Sequence, residues 1–229
     1  MKILCTICAR GGSTEVKNKN IIKIKNIPLI KHTLFQALKS KIFDAIVVST
    51  DSNKIKKIVG NKFSWFYRPK NLSNNKSPKL NAIRHALLKS EKKYTCKFDY
   101  IVDLDITAPL RSISDIKNSI KVFIKSNNNN MISVSVAKKN PYFSLVEIKN
   151  KKIKLVKKSF FTCRQDAPLV YATNGSIYIW RRRSLLKNKS LFGNKTSIYI
   201  MPEHKSFDID SHTDLKIVEM LMKQKKNSL

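Results

Sequence analysis

The chain has 229 residues, 42% of them hydrophobic and only 5 of them glycine, which suits one large globular domain with a real core and excludes a disordered chain. Its net charge is +31, but the excess is mostly Lys scattered beside Asn and Ile, with no homeodomain, zinc-finger or ribonucleoprotein motif, which argues against nucleic acid as the main partner. No apolar stretch approaches the roughly 20 residues of a membrane span, and the N-terminus lacks the apolar core and small-residue cleavage site of a signal peptide, so the expectation is a cytoplasmic protein with no membrane partner.

Ile3 to Ala9 is a short apolar run that reads as a buried strand. It leads into Arg10-Gly11-Gly12-Ser13-Thr14-Glu15-Val16-Lys17-Asn18-Lys19-Asn20. Glycines let backbone N–H groups approach an anion, and Arg and Lys neutralise its charge, which is what a phosphate-binding loop needs. The alternative is a plain surface turn. Cys5 and Cys8 form a C-x-x-C, yet inside a strand they fall on opposite faces, and no second pair follows. Reduced, structural cysteine is the reading, in keeping with a cytoplasmic location.

Helical spacing follows over Leu29 to Lys39, then an apolar strand over Ala45 to Thr50. Asn53 to Val59 reads as a helix capped by Asp51 or Ser52, Phe63 to Tyr67 as a short strand and Leu80 to Glu91 as an amphipathic helix. Asp99 to Leu104 is another buried strand. Ser114 or Asp115 opens a helix to about Lys125, and Met131 to Ala137 returns to strand. Alternating strands and helices, with the strands apolar on both sides, predict a parallel sheet covered on both faces. Ligands in such sheets sit beyond the carboxyl ends of the strands, where Arg10, Asp51, Asp105 and Thr107 all fall.

From Lys138 to Arg164 the rhythm changes. Ser144 to Ile148 and Lys152 to Val156, joined by Lys149-Asn150-Lys151, predict an inserted β-hairpin. Its apolar residues need a cover, either a second subunit or the chain's own core. Asn174 to Trp180 is strand, Arg181 to Leu186 a short helix or turn, and Thr196 to Met201 strand again. Leu215 to Lys223 is the last helix, capped by Ser211 or Thr213, and the Lys-rich tail beyond Gln224 reads as frayed.

Asp208 and Asp210 alternate with Phe207 and Ile209. On a strand both carboxylates would face one way, as a site for Mg²⁺ shared with phosphate oxygens requires. The competing reading is dipole compensation before the last helix, which suits Asp214 better.

Taken in order, Ala9-Arg10-Gly11-Gly12-Ser13 with Lys19-Asn20, Ser49-Thr50-Asp51, Arg68-Pro69, Ile83-Arg84-His85-Ala86-Leu87, Thr107-Ala108-Pro109-Leu110-Arg111, Asn174-Gly175-Ser176-Ile177-Tyr178 and Asp208-Ile209-Asp210 span nearly the whole chain. Together they resemble the CMP-sialic acid synthetase family, the acylneuraminate cytidylyltransferases. The resemblance implies an α/β fold: a three-layer α/β/α, nucleotide-diphospho-sugar transferase-like (Rossmann-like) and mostly parallel sheet. It implies a single cytidylyltransferase domain over residues 1–229, with 138–172 as an inserted dimerisation arm and a homodimer as the assembly.

The activity implied is transfer of CMP from CTP to the anomeric hydroxyl of a nonulosonic acid, with release of pyrophosphate and with Mg²⁺, or Mn²⁺ in its place, as cofactor. By resemblance, Arg10, Lys19 and Asp210 are catalytic, and Asp208 and Asp210 hold the metal. Arg10, Gly11, Gly12, Ser13, Lys19, Asn20, Arg68 and Lys79 bind the nucleotide, the last two beside the cytosine. Asp105, Thr107, Arg164, Gln165, Asn174 and Tyr178 take the sugar. Asp105 in Leu104-Asp105-Ile106-Thr107, and Thr173 before Asn174, look like the legionaminic acid branch. Thr14-Glu15 stands where the family resembles Lys-Gly, a change that by charge alone weakens triphosphate binding. The alternatives are a cytidylyltransferase for the eight-carbon acid of lipopolysaccharide and a basic nucleic-acid-binding protein.

Overall fold

A computed structural model describes residues 1–12, 16–74 and 76–224. The sequence readings of Ser13, Thr14, Glu15 and the tail beyond Gln224 lie outside the described residues. The strands in chain order are β1 (Ile3–Ala9), β2 (Lys23–Ile24), β3 (Ile27–Pro28), β4 (Ala45–Thr50), β5 (Ser64–Tyr67), β6 (Tyr100–Leu104), β7 (Asn130–Val136), β8 (Val146–Lys149), β9 (Lys152–Leu155), β10 (Tyr171–Arg181) and β11 (Thr196–Ile200). The helices are α1 (Leu29–Ser40), α2 (Asn53–Val59), α3 (Lys79–Tyr94), α4 (Ile113–Lys125), α5 (Arg182–Lys187) and α6 (His212–Gln224).

Seven strands form the main sheet in the order β11-β7-β10-β6-β1-β4-β5. β6, β1, β4 and β5 are mutually parallel, and β11 is parallel to β7. β10 runs antiparallel to both β6 and β7, so the expected mostly parallel sheet contains one reversed central strand. A register shift between Thr173 and Tyr178 interrupts the β10 pairing with β7 and falls at Gly175-Ser176.

Each sheet face has its own core, which gives three layers. Ile3, Cys5 and Ile7 of β1 pack with Leu29, Ile30 and Leu34 of α1 and with Ile116, Ile120 and Phe123 of α4. Leu4 of β1 and Val47 of β4 pack on the other face with Leu80, Ile83 and Leu87 of α3 and Leu185 of α5. The two cysteines divide as strand alternation predicts: Cys5 lies in the first core and Cys8 packs against the second. All four cysteines are free thiols.

Two helices begin earlier than their apolar patterns suggest. Ser112, not Ser114 or Asp115, caps α4, because Asp115 accepts the Ser112 N–H (2.8 Å) while its own N–H reaches Ser112 Oγ (3.2 Å). Ser211 makes the same reciprocal pair with Asp214, at 2.7 and 3.2 Å, and α6 starts at His212. Ser52 caps α2 by accepting from the Ile55 N–H.

After Val136 the chain leaves the sheet and rejoins it at Tyr171. Tyr171 and Ala172, the last residues of the expected arm, pair with Val136 and Ser135 in the sheet itself. Between them β8 and β9 form a separate hairpin, turned at Asn150 and Lys151 with φ of 52° and 61°. Both values are positive, as a two-residue I′ turn requires. Val146 faces Leu155 and Ile148 faces Ile153 on one side of the hairpin, while Glu147–Lys154 and Lys149–Lys152 occupy the other. Ile148 and Ile153 are 79% and 73% exposed, so within one chain the apolar side has no cover. Among the described residues no helix is long and apolar enough to cross a membrane.

Candidate active site

The carboxyl ends of β1, β5 and β6 converge on a cavity of about 440 Å³. Arg10 and the turn after it enter from β1, Arg68 follows β5, Lys79 opens α3, and Asp105 and Thr107 follow β6. Asp208 and Asp210 close it from the segment before α6.

The first loop is braced from within. The Gly11 N–H donates to Asp51 Oδ1 (2.8 Å), and a Cβ at Gly11 would stand 2.9 Å from Ser52 Cβ, so packing itself requires this glycine. Among the described residues nothing lies within 4 Å of a Cβ placed on Gly12. Its open backbone is suited to close approach by a substrate. Asn20, only 8% exposed, donates to the Arg10 carbonyl (2.8 Å) and so braces the loop while lining the cavity. Lys19 reaches across to Asp210 (3.0 Å). Arg68 is 5% exposed and grips Ser49 through its hydroxyl (3.1 Å) and carbonyl (2.7 Å).

Lys79 lines the same cavity as Arg68. Its ammonium bridges Asp103 (2.7 Å) and Asp105 (2.5 Å) and lies 4.7 Å over the Tyr178 ring. Burial by itself would push the Lys79 ammonium down, but the Asp103 and Asp105 charges outweigh it and hold the group well above the usual lysine range. Burial likewise works against the Asp105 carboxylate, and Lys79 overrides it and lowers its pKa. Thr107 adds two bonds to Asp105 Oδ1, from its N–H (3.3 Å) and hydroxyl (3.2 Å). Asp103, fully buried, takes a further bond from Thr6 (2.7 Å).

The Asp208–Asp210 segment is irregular rather than a ladder strand. Its alternation still holds: the Ile209 N–H is tied to the Thr107 carbonyl (2.9 Å), Ile209 is fully buried, and both carboxylates line the cavity. Asp208 Oδ1 is buried, and among the described residues it has no hydrogen-bond partner. Burial, then the Asp105 charge, push the Asp208 carboxyl up to about 6. Gly175, at φ 61°, lies so close that a Cβ there would sit 2.8 Å from Asp208 Oδ2. That position needs glycine for its backbone and for its space.

An unpartnered, destabilised carboxylate oxygen beside a second carboxylate fits a divalent cation. Among the described residues no group of three or more His, Cys, Asp or Glu is arranged to hold a metal. A cation here would therefore take its other ligands from substrate oxygens and water.

The remaining sequence-derived residues separate. Tyr178 is half-buried beside Lys79, its ring stacked on Trp180 at 5.9 Å. Asn174 is consumed in packing, accepting from Ser133 (2.6 Å) and donating to Ser206 (3.0 Å). Arg164 and Gln165 ride on the arm and line a different cleft beside Val136 and Ala137. Sequence reasoning missed Asp103 and Cys8. Cys8 lines the cavity, its thiol pushed up by burial and then by Asp103. The spacing of Asp103 and Asp105, two residues apart where β6 ends, was the available signal for Asp103.

This sheet, with a cationic glycine loop at its carboxyl edge and paired carboxylates opposite, defines an α/β nucleotidyltransferase. The solved structure of CMP:2-keto-3-deoxy-manno-octonic acid synthetase complexed with CTP shares the fold, with a TM-score of 0.71 over 98% of this chain and 100% of that one, at 16% identity. A family model described as Cytidylyltransferase matches residues 4–229, and the chain belongs to that family. It is 47% identical over 230 residues to CMP-N,N'-diacetyllegionaminic acid synthase of Campylobacter jejuni subsp. jejuni, covering 99% of this chain and 97% of that protein. It is 46% identical over 228 residues to post-translational flagellin modification protein B of Campylobacter coli, covering 98% and 96%. The chain is a CTP-dependent cytidylyltransferase.

Proposed function

We propose that this enzyme transfers CMP from CTP to the anomeric hydroxyl of a nonulosonic acid of the legionaminic type, releasing pyrophosphate, and that it works with Mg²⁺, as a homodimer, in the cytoplasm. The observation that carries the substrate is the nearly full-length 47% identity to CMP-N,N'-diacetyllegionaminic acid synthase.

The residues suit that reaction. Arg10 and Lys19 neutralise charge that grows on the α-phosphate oxygens and the departing pyrophosphate. Arg68, rigidly held by Ser49, forms the wall on which the nucleotide is oriented. Asp105, kept ionised by Lys79, is an acceptor for sugar hydroxyl or amide hydrogens. Bound by Asp208 and Asp210, Mg²⁺ would supply Lewis-acid stabilisation of the phosphate oxygens. The uncovered apolar side of the β8–β9 hairpin supports the dimer, and the free thiols support a reducing compartment.

Pyrophosphate release measured with CTP against a panel of nonulosonic acids tests the reading. Release with a legionaminic-type acid is expected, and Asp210→Ala should lower the Mg²⁺-dependent rate about 10²-fold or more. No release with any acid, or equal release with ATP, overturns it.

A further inference from the structure

The Thr107–Arg111 motif ends in a guanidinium to which the reaction above gives no task. Arg111 is 1% exposed, and none of its hydrogen bonds goes to a carboxylate. Burial lowers it to about 10, and the nearby charge of Asp105 is the strongest pull back up. A buried cation solvated by backbone oxygens is a costly way to fill a core, so its bonds should matter.

Those bonds join three segments of the site. Nη2 donates to the Asp105 carbonyl (2.6 Å) and to Thr33 Oγ1 on α1 (2.7 Å). Nη1 donates to the Ala108 carbonyl (3.0 Å) and to the Ser176 carbonyl on β10 (3.0 Å). The Ser176 carbonyl also takes the Asp105 N–H (3.2 Å), and Gln36 of α1 pins the Pro109 carbonyl (2.7 Å). Within the turn so fixed, Thr107 holds the Ile209 N–H between the two cavity carboxylates.

We propose that Arg111 is a positioning residue for nucleotidyl transfer. It locks the Asp105–Thr107 turn against Gly175-Ser176 and, through the Thr107–Ile209 bond, sets Asp208 and Asp210 in the cavity. The role rests on the reaction proposed above. A Lys cannot reproduce it, because one ammonium lacks the planar fork that meets several carbonyls at once.

Arg181 is an internal control. It also clamps loop carbonyls, those of Ser126 (2.6 Å) and Asn128 (2.8 Å), but at the last residue of β10, away from Ser176. The experiment compares Arg111→Lys with Arg181→Lys in kcat, in KM for CTP, in Tm and in amide exchange of Ile209, all well below Tm. Arg111→Lys should lose about 10²-fold in kcat with KM for CTP within about threefold, and its Ile209 amide should exchange about tenfold faster or more. Arg181→Lys should lower Tm and leave kcat and Ile209 exchange within about twofold of the wild type. If Arg111→Lys lowers Tm alone, with kcat and exchange unchanged, the proposal fails.

Should Arg111→Lys not fold, Thr33→Val decides. It keeps the volume but removes the hydroxyl that accepts from Arg111 and donates to the Asp105 carbonyl (3.3 Å). A kcat about tenfold lower with faster Ile209 exchange supports the role, and no change in either overturns it. A wild type inactive with every acid overturns the substrate reading instead. Ile209 exchange in Arg111→Lys then decides the positioning role by itself, faster supporting it and unchanged overturning it.

Discussion

Asp208 is held in an ionised form that its surroundings oppose. Its Oδ1 is buried with no hydrogen-bond partner among the described residues, and burial and Asp105 raise its pKa from 3.8 to about 6. The folded state therefore binds its proton more tightly than the unfolded chain does. Stability from this group falls as pH rises from about 4 to about 6 and stays reduced above that. Asp208→Asn, melted in the presence of EDTA at pH 8, should raise Tm by roughly 2–4 °C for each kcal/mol recovered. At pH 3.5 most of the gain should vanish, because the wild-type carboxyl is then mostly protonated in both states. The same variant should lose most of its turnover. An Asn variant that is no more stable at pH 8 would show that Asp208 is not strained. The pattern fits a site whose local cost is repaid only by substrate and cation.

Helix ends show what an ion pair contributes away from the cavity. Glu91, near the end of α3, meets Arg182 at the start of α5 through two bonds of 2.7 and 2.9 Å and also accepts the Phe98 N–H (3.2 Å). The Arg182 bonds lower the Glu91 pKa below its ordinary 4.5. A depressed acid adds stability above its unfolded pKa and loses it as pH falls through the folded value. Glu91→Gln should cost about 1–3 kcal/mol in urea unfolding at pH 7, with turnover unchanged and the difference shrinking below pH 4.5. Equal losses at pH 7 and pH 3.5 would assign the effect to shape, not charge. The elements themselves were largely legible. The stripe Leu29, Ile30, Thr33, Leu34, Ala37 and Leu38 marks α1, and all of it but Leu38, which is exposed, lies on the buried face. The start of α4 was read late because its cap, Ser112, lies outside the apolar pattern, whereas Ser211 was among the caps expected for α6. The direction of β10 was not legible, since strand alternation is the same read either way. The cavity carboxylates were found from spacing. The bridge from Lys79 to Asp103 was not, because Asp103 sits in a run that otherwise reads as apolar core.

For the molecule as a whole, the arm is where one chain leaves apolar side chains most exposed. Ile148 and Ile153 lie opposite each other on its bare face, with only charged residues behind them. Wild-type protein should sediment as twice its 26.4 kDa chain mass. The double variant Ile148→Glu with Ile153→Glu should sediment as one chain and keep its far-UV spectrum, since neither side chain belongs to a core. A wild type that is monomeric at micromolar concentration would dispose of the dimer. The arm's existence was legible from the broken rhythm after Lys138. The placement of Arg164 and Gln165 was not, because it depends on how the arm folds back beside β7. The same detour governs the order of assembly. β10 lies between β6 and β7 but is made after both, with the arm in between. A growing chain can join β5, β4, β1 and β6, yet β6 keeps one open edge until Ile177 to Arg181 have been made. β7 waits as well, for its two sheet neighbours, β10 and β11, both lie downstream. Every residue of the arm thus lengthens the interval in which the nascent chain carries an unpaired edge, the condition that invites association with its siblings.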